Sequence, residues 1–525
     1  MKKFNVTGTC IPQENYMVDI SKKIDQIETL VENGSYFVIN RSRQYGKTTT
    51  LAELRKRLTP RYLVLPLSFE SLGPSSFSTE ANFCSDFLGL IEDRLFMMGW
   101  DENFCSRWGD ASISTFKQLN RHLMKMTRNE SVVLMIDEVD KVTDNDIFIS
   151  FLSLLRTKYL ASREGLDFTF QSVILAGVYD IKNIKLKLRQ EGHHQFFESE
   201  TKIQNSPWNI AVDFEVEMSF SPEEIATMLL AYEKDHQTGM DIGTVSNEIY
   251  GYTSGYPYLV SRICQHIDTK MDKDWTKAGV NKAVKLLTVE QNTLFDDLFK
   301  NVANRPELSR ILESILLDGI SYPYSHGDLE LNLGIRYGFL KQEDGRITIS
   351  NRIFEIVLLN HYIVKQFSKS EIQETAGSHE CIQNGKLDME CCLRKFDEHY
   401  AQYNYHLDKK FRKNLNFQEK YGKFLFLTYL APLINGTGFI YPEPETTHQG
   451  KMDLVVVYGG EEFIIELKVW RGEGFRQEGV GQLAGYLNNR KSDTGYMLTF
   501  DFRDSKKPKM EWLEYGGKRI FDVVV

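Results

Sequence analysis

At 525 residues, with 42% hydrophobic and 26% charged side chains, the chain is too long for a single ordinary core and has the balance of a folded, multidomain protein. A net charge of −9 excludes a generally basic nucleic-acid coat, and no apolar run approaches the roughly 18 residues of a membrane span. The seven cysteines, Cys10, Cys84, Cys105, Cys264, Cys381, Cys391 and Cys392, form no CxxC pair. Neither a zinc site nor a disulfide framework is therefore indicated, and a cytoplasmic, reducing location fits. The N-terminal MKKFNVTGTC lacks the apolar segment of a secretory signal. Residues 401–525 hold 18 basic and 16 acidic side chains, which leaves −11 on the first 400 residues. The C-terminal part thus tolerates a nucleic-acid contact, while the acidic remainder suits protein partners.

In chain order, YFVIN (36–40), YLVLPLSF (62–69), SVVLMID (131–137) and QSVILAGV (171–178) are short branched-apolar runs separated by amphipathic segments. Such runs predict buried parallel strands of an α/β sheet over residues 1–220. At Ser221 the pattern changes: an N-cap serine, Pro222 at the first helical position and Glu223–Glu224 in the first turn predict a strong helix start. Residues 221–302 read as a helical lid, with SGYPYLVSRICQHI as a second helical unit. Residues 303–365 predict short helices closed by a ribbon that turns at Asp344-Gly345, the pattern of a winged helix. Residues 366–386 are polar and poorly patterned, a linker. Residues 387–525 begin with helices at 387–404 and 415–433. The strands KMDLVVVY, EFIIELKVW and TGYMLTFDF follow.

The turn after the first strand reads INRSRQYGKTTTLAEL. In a phosphate-binding P-loop, backbone N–H groups wrap a phosphate, the lysine reaches the β and γ oxygens, and the Ser/Thr hydroxyl holds Mg²⁺. Gly46, Lys47 and Thr48 supply that ending, and Arg41, Arg43, Gln44, Tyr45 and Thr49 complete the candidate ATP-binding segment. None of the five residues before Gly46 is glycine, so the pattern alone leaves open a plain turn feeding a helix. Further on, SVVLMIDEVD carries Asp137 and Glu138 to the carboxyl edge of a strand, where ligands bind in open α/β sheets. There Asp137 is expected to hold Mg²⁺ through water, and Glu138 to orient or deprotonate the attacking water.

Together with FLSLLRTKYL (151–160), SPWNIAVDFEVEMSFSPEEI (206–225) and SGYPYLV (254–260), these stretches resemble the AAA-like P-loop ATPases of the STAND/AAA+ superfamily. That family often writes its loop Arg-Pro-Arg-Gln-x-Gly-Lys-Thr/Ser. Arg41 and Arg43 fall on the pattern, and Ser42 stands in place of proline. The resemblance covers residues 5–300 and implies an ATPase core with a helical lid. It also places a γ-phosphate sensor near Tyr179-Asp180, neither of which is the usual Asn or Thr. Arg156, Arg189 and Arg262 are the candidates for an arginine finger or phosphate contact.

The second constellation is HQGKMDLVVVYGGEEFIIELKVW. Glu466 and Lys468 are two apart on one strand and share a face, and Asp453 opens the strand before it. Two carboxylates and an ammonium so placed suit Mg²⁺ and water activation for attack on a phosphodiester. Taken alone, FIIELK also reads as an ordinary amphipathic strand. The D-x12-E-x-K spacing resembles the PD-(D/E)XK superfamily. So do Gly450 before Asp453, Gln482 with Tyr486 on the next helix, and Glu419 on an earlier helix. The resemblance implies a restriction-endonuclease-like domain with Asp453, Glu466, Lys468 and Gln482 in catalysis and Glu419, Asp453 and Glu466 as ligands for Mg²⁺ or Mn²⁺. Lys451 replaces the arginine that many relatives carry, keeping its charge without the planar fork.

Two functions follow. One is an ATPase, expected to be a homo-oligomer, whose nucleotide state controls a metal-dependent nuclease acting on DNA rather than RNA, with prokaryotic defence against phage or mobile elements as an associated role. The other is a nucleotide-dependent switch that binds a protein partner, with an inactive nuclease-like scaffold.

Overall fold

A parallel strand buried on both faces has no solvent side to fill, so its residues run as unbroken Val, Ile, Leu and Met. The computed structural model describes the chain except residues 1, 110–111, 143–144, 179–206, 318–319, 368–377, 404–414, 435–437, 443–453 and 504–508. It separates into two units. One is Met1–Lys270 with Asn332–Leu340; the other is Met271–Leu331 with Lys341–Val525.

In the first unit, helix α1 (Ser21–Glu32) leads to strand β1 (Phe37–Asn40), helix α2 (Lys47–Leu58), strand β2 (Leu63–Ser68) and helix α3 (Glu80–Met97). Strand β3 (Val132–Asp137), helix α4 (Asp146–Arg163) and strand β4 (Ser172–Gly177) follow. The four strands are parallel in the order β1-β4-β3-β2, with Phe37 opposite Ile174, Val133 opposite Ser172 and Ser68 opposite Asp137. Strand β2 carries Pro66, which donates no ladder hydrogen bond and is tolerated because β2 lies at the edge. One face packs Leu65, Leu134, Ile136 and Leu175 under Phe83, Phe87, Phe151 and Leu155 of α3 and α4. The other packs Val64, Val133, Met135 and Ile174 under Ile27 and Val31 of α1 and Leu51, Leu54 and Leu58 of α2. The four carboxyl ends, Asn40, Ser68, Asp137 and Gly177, lie at one edge of the sheet.

Lys158 of α4 is fully buried; its ammonium donates to Asp167 Oδ2 at 2.9 Å and Asn120 Oδ1 at 3.1 Å. Burial pulls its pKa down and Asp167 pulls it back. Asp167→Asn leaves that ammonium buried without its countercharge and is expected to cost about 3 kcal/mol. Scanning calorimetry reads this as an unfolding midpoint lower by roughly 5 °C or more.

Helices α5 (Pro222–His236), α6 (Ile242–Thr253) and α7 (Pro257–Lys270) are the part of the stretch read as a lid, 221–302, that belongs to the first unit. The Ser221 N-cap is realised as a full capping box: Glu224 N–H donates to Ser221 Oγ, and Ser221 N–H donates to the Glu224 carboxylate. Gly255, just before α7, has φ +73°, and a Cβ there would lie 2.0 Å from the Phe220 carbonyl oxygen. Only glycine lets these two backbones meet.

The second unit contains helices α8 (Lys277–Thr288), α9 (Thr293–Asn304) and α10 (Pro306–Leu317), strand β5 (Tyr322–Pro323) and helix α11 (Leu329–Arg336), whose last residues belong to the first unit. Strands β6 (Leu340–Glu343) and β7 (Arg346–Ile349) flank the expected Asp344-Gly345 turn, with φ +48° and +76°. Strand β7 pairs with both β5 and β6. Helix α12 (Arg352–Phe367) runs into the stretch read as a linker. Residues 368–377 lie outside the described residues, and Ser378–Leu387 carries a helical turn and a small hairpin.

After helices α13 (Met389–Tyr403) and α14 (Leu415–Ile434) come strands β8 (Gly438–Pro442), β9 (Leu454–Tyr458) and β10 (Glu461–Val469), then helix α15 (Glu473–Arg490). Strands β11 (Thr494–Phe500), β12 (Lys509–Tyr515) and β13 (Lys518–Val524) complete a mixed sheet in the order β8-β9-β10-β11-β13-β12. Helix α15 covers one face through Val480, Leu483, Ala484 and Leu487 against Val455, Ile464, Met497 and Ile520. Helices α13 and α14 cover the other through Phe396, Phe426 and Leu430 against Ile465, Leu467, Leu498 and Phe521.

One expectation is corrected here. Cys381 and Cys391 form a disulfide. The turn from 381 to the start of α13 brings their Cα atoms to 5.4 Å, which spacing in the sequence did not reveal. Cys392 is a buried small side chain in α13.

Candidate functional site

The loop from β1 to α2 places its residues at the carboxyl edge of the first unit's sheet. Gly46 caps α2 with φ +80°, and Gln44 also takes a left-handed backbone at φ +56°. Two left-handed residues in three give the turn before α2 the curled backbone of an anion-binding loop at a helix amino end. Lys47 is 9% exposed, and its ammonium donates to the carbonyls of Arg41 and Ser42, both at 2.9 Å. Burial lowers its pKa, opposed by Asp140, Asp137 and Glu138. Thr48 Oγ1 donates to Asp137 Oδ2 at 2.8 Å, joining α2 to the end of β3.

Other loop side chains serve the loop's surroundings. The Arg41 guanidinium donates to the Val216 carbonyl at 2.9 Å and lies 5.3 Å from the centre of the Phe214 ring. Arg43 is exposed, and its carbonyl accepts from Tyr256. Tyr45 packs edge-on against Tyr256 at 4.7 Å, and burial pushes its hydroxyl pKa up to about 12. Thr49 Oγ1 accepts from the Cys10 backbone at 3.2 Å, which lays the N-terminal segment on α2.

Glu138 follows Asp137 with φ +57°, an uncommon backbone for a side chain with a Cβ. Its N–H donates to Asp137 Oδ1 at 2.9 Å. Burial raises its pKa, Asp137 adds to the rise, and Lys47 opposes it. Asp140, a residue given no role by sequence reading, accepts from Val178 N–H through both oxygens at 2.7 Å. A Cβ on Gly177 would sit 2.6 Å from Asp140 Oδ1, so the glycine ending β4 makes room for this tie. The last Asp of IDEVD was the available signal. Thr48 and Asp137 offer hard oxygen donors side by side, a set that fits Mg²⁺.

Of the finger candidates, Arg189 lies outside the described residues, as do Tyr179 and Asp180. Arg156 stands on α4, and its Nε makes no hydrogen bond among the described residues. Arg262 lies on α7 beside Gln265.

On the second unit's sheet, Glu466 and Lys468 point to the face covered by α15. Glu466 is 2% exposed, and Lys468 Nζ lies 2.7 Å from its Oε1. A Cβ on Gly479 would approach Lys468 Cε at 3.2 Å, so this glycine of α15 lets the helix close over the lysine stem. Arg476, one turn earlier, donates through Nε to Asp522 Oδ2 at 2.7 Å and through Nη2 to Glu511 at 3.2 Å. Gln482 is exposed on α15. Asp453 and Gly450 lie outside the described residues, as does the side chain of Glu419. Glu419 belongs to α14, on the face of the sheet opposite Glu466. No three His, Cys, Asp or Glu side chains converge as metal ligands among the described residues. Glu466 is thus the one carboxylate ligand predicted for the nuclease site whose side chain is described.

A parallel sheet with a lysine- and threonine-bearing loop at its carboxyl edge, facing an acidic strand end, defines a P-loop ATPase. The model of the AAA-like domain matches residues 13–356, and the chain belongs to that family. No curated protein matches it. Among solved structures it is similar to a Walker-type ATPase of Pyrococcus abyssi at 13% identity, covering 68% of this chain and 99% of that one with a TM-score of 0.47. It is also similar to the Aeropyrum pernix ORC2 protein at 12% identity, covering 69% and 98% with a TM-score of 0.38. Drosophila ORC bound to GC-rich DNA and Cdc6 matches at 12% identity, covering 79% and 63% with a TM-score of 0.26. No helix among the described residues is long and apolar enough to cross a membrane.

Proposed function

We propose that ATP binding and hydrolysis at the Lys47 loop control a metal-dependent nuclease in the C-terminal domain, with DNA as its substrate. The observation that carries the first half is the 2.8 Å bond from Thr48 to Asp137 beside the Lys47 ammonium. In the proposed reaction Lys47 exchanges its loop carbonyls for phosphate oxygens, and Thr48 and Asp137 would hold Mg²⁺. Glu138, its pKa raised by burial, takes the proton of the attacking water. Such an ion, when bound, would supply neutralisation of the phosphate charge.

The nuclease half is supported by the Glu466–Lys468 pair on one strand face under α15, the carboxylate buried and the lysine partly exposed. Asp453, directly before β9 in the chain, and Glu466 would hold the metal, and Lys468 would orient the nucleophile. The ribbon around Asp344-Gly345 supports a winged helix over 303–365, with packing or contact to duplex DNA as its role. An arginine finger supplied by a neighbour would make a homo-oligomer the working form. A prokaryotic defence role completes the reading; the Cys381–Cys391 disulfide removes the argument from cysteine spacing for a cytoplasmic setting.

Glu138→Gln tests the ATPase half. It keeps the side chain's size and removes the base, so ATP binding is expected to persist while turnover falls about 10²–10⁴-fold. In the wild type, turnover should decline with falling pH above the ordinary glutamate range, because the raised pKa protonates Glu138 early. Full turnover by Glu138→Gln removes Glu138 from the mechanism.

A further inference from the structure

We infer that Tyr256, the residue just before α7, is a positioning residue that couples the phosphate loop to the lid. The inference rests on the loop binding ATP. The Tyr256 ring is 2% exposed, and its hydroxyl donates to the Arg43 carbonyl at 2.5 Å and lies 3.1 Å from Ser42 Oγ. Three successive loop carbonyls are therefore held: Arg41 and Ser42 by the Lys47 ammonium, and Arg43 by Tyr256. The first two bonds are made by the group that must turn to phosphate when nucleotide enters. The third comes from outside the loop and does not compete with phosphate, so it persists.

Tyr256 is itself fixed to the lid. Gly255 meets Phe220 backbone to backbone, with Phe220 N–H donating to the Gly255 carbonyl at 2.8 Å, and Pro257 opens α7 one residue later. The Pro257 ring stands 4.0 Å from where a Cβ on Gly46 would be. On a third side Gly338 closes over the pair: its Cβ would lie 2.6 Å from Ser42 Oγ and 3.5 Å from Tyr256 Cε2. Ser42 is buried here, at the position where the resembling family writes proline; a hydroxyl at 42 gives Tyr256 a second polar contact in the loop. A change in the backbone at 42–43 on phosphate binding is thus transmitted to α7 through one hydroxyl, and lid position sets how well the loop is shaped for phosphate.

The test uses the full chain. Tyr256→Phe keeps the ring and its edge contact with Tyr45 but removes the hydroxyl; Ser42→Ala removes one contact only. ATP affinity with Mg²⁺ is read by titration calorimetry, and the amides of α7 after Pro257 by hydrogen exchange with and without ATP. Tyr256→Phe is expected to bind ATP about tenfold more weakly, the scale of one or two lost hydrogen bonds, and Ser42→Ala to fall between. In Tyr256→Phe the ATP-linked protection of these amides should vanish while protection without nucleotide stays as in the wild type. Wild-type affinity with intact ATP-linked protection overturns the inference. So does an equal loss of protection with and without ATP, the mark of a packing role. A wild-type chain that fails to bind ATP refutes the loop reading instead, and a Lys47→Ala control separates that outcome.

Discussion

Lys47→Ala is expected to lower ATP affinity about 10- to 100-fold, the scale of a charge-assisted bond to phosphate of about 1.5–3 kcal/mol. The side chain is largely buried, and its ammonium is poised on the Arg41 and Ser42 carbonyls. Its removal has a second consequence. Lys47 restrains the rise in the Glu138 pKa that burial and Asp137 cause. Without it Glu138 protonates at still higher pH, so any residual turnover should show its acid limb shifted upward. Lys47→Met, which keeps an apolar stem, should behave alike in affinity and better in stability. Calorimetric titration with ATP and Mg²⁺ decides the matter: an affinity equal to the wild type removes Lys47 from the phosphate site.

What the sequence made legible follows from how local each signal is. The four parallel strands of the ATPase sheet could be read because both their faces are buried, and a two-sided core writes an unbroken apolar run. The Ser221 helix start and the Asp344-Gly345 turn were equally visible, since capping and positive φ are settled within four residues. Features built from distant partners were not. Tyr256 reaches Arg43 across 213 residues, and Arg41 reaches Val216 across 175, so neither side chain announces its partner. Arg41 fits the family's loop pattern, yet its guanidinium serves the packing of 214–216. The pair Arg476–Asp522 joins a helix to a strand 46 residues on. Strand β12 escaped reading because its half-exposed edge mixes charged and aromatic residues, although Gly516-Gly517, both with positive φ, marks its hairpin with β13.

An effect as large as that of Glu138→Gln is expected at the proposed nuclease site, from Glu466→Gln and Lys468→Met. The choice of replacement matters because the two groups are paired under α15. Removing Lys468 outright would leave the Glu466 carboxylate buried beside a void over Gly479 and would confound chemistry with folding. Methionine keeps the stem that Gly479 accommodates and discards only the charge. Glutamine at 466 keeps an acceptor for the lysine and discards the charge that would hold a divalent ion. If the pair is the site, each variant should lose about 10²–10⁴-fold in plasmid cleavage with Mg²⁺ or Mn²⁺. ATP affinity should stay at the wild-type level in both, since the loop's own groups are untouched. A wild type that cuts no DNA with either ion, with or without ATP, removes the nuclease from the proposal. Cleavage by both variants at the wild-type rate moves the chemistry away from this strand. The Glu466 carboxylate would then be a buried structural anion, held by Lys468 as Asp522 is held by Arg476.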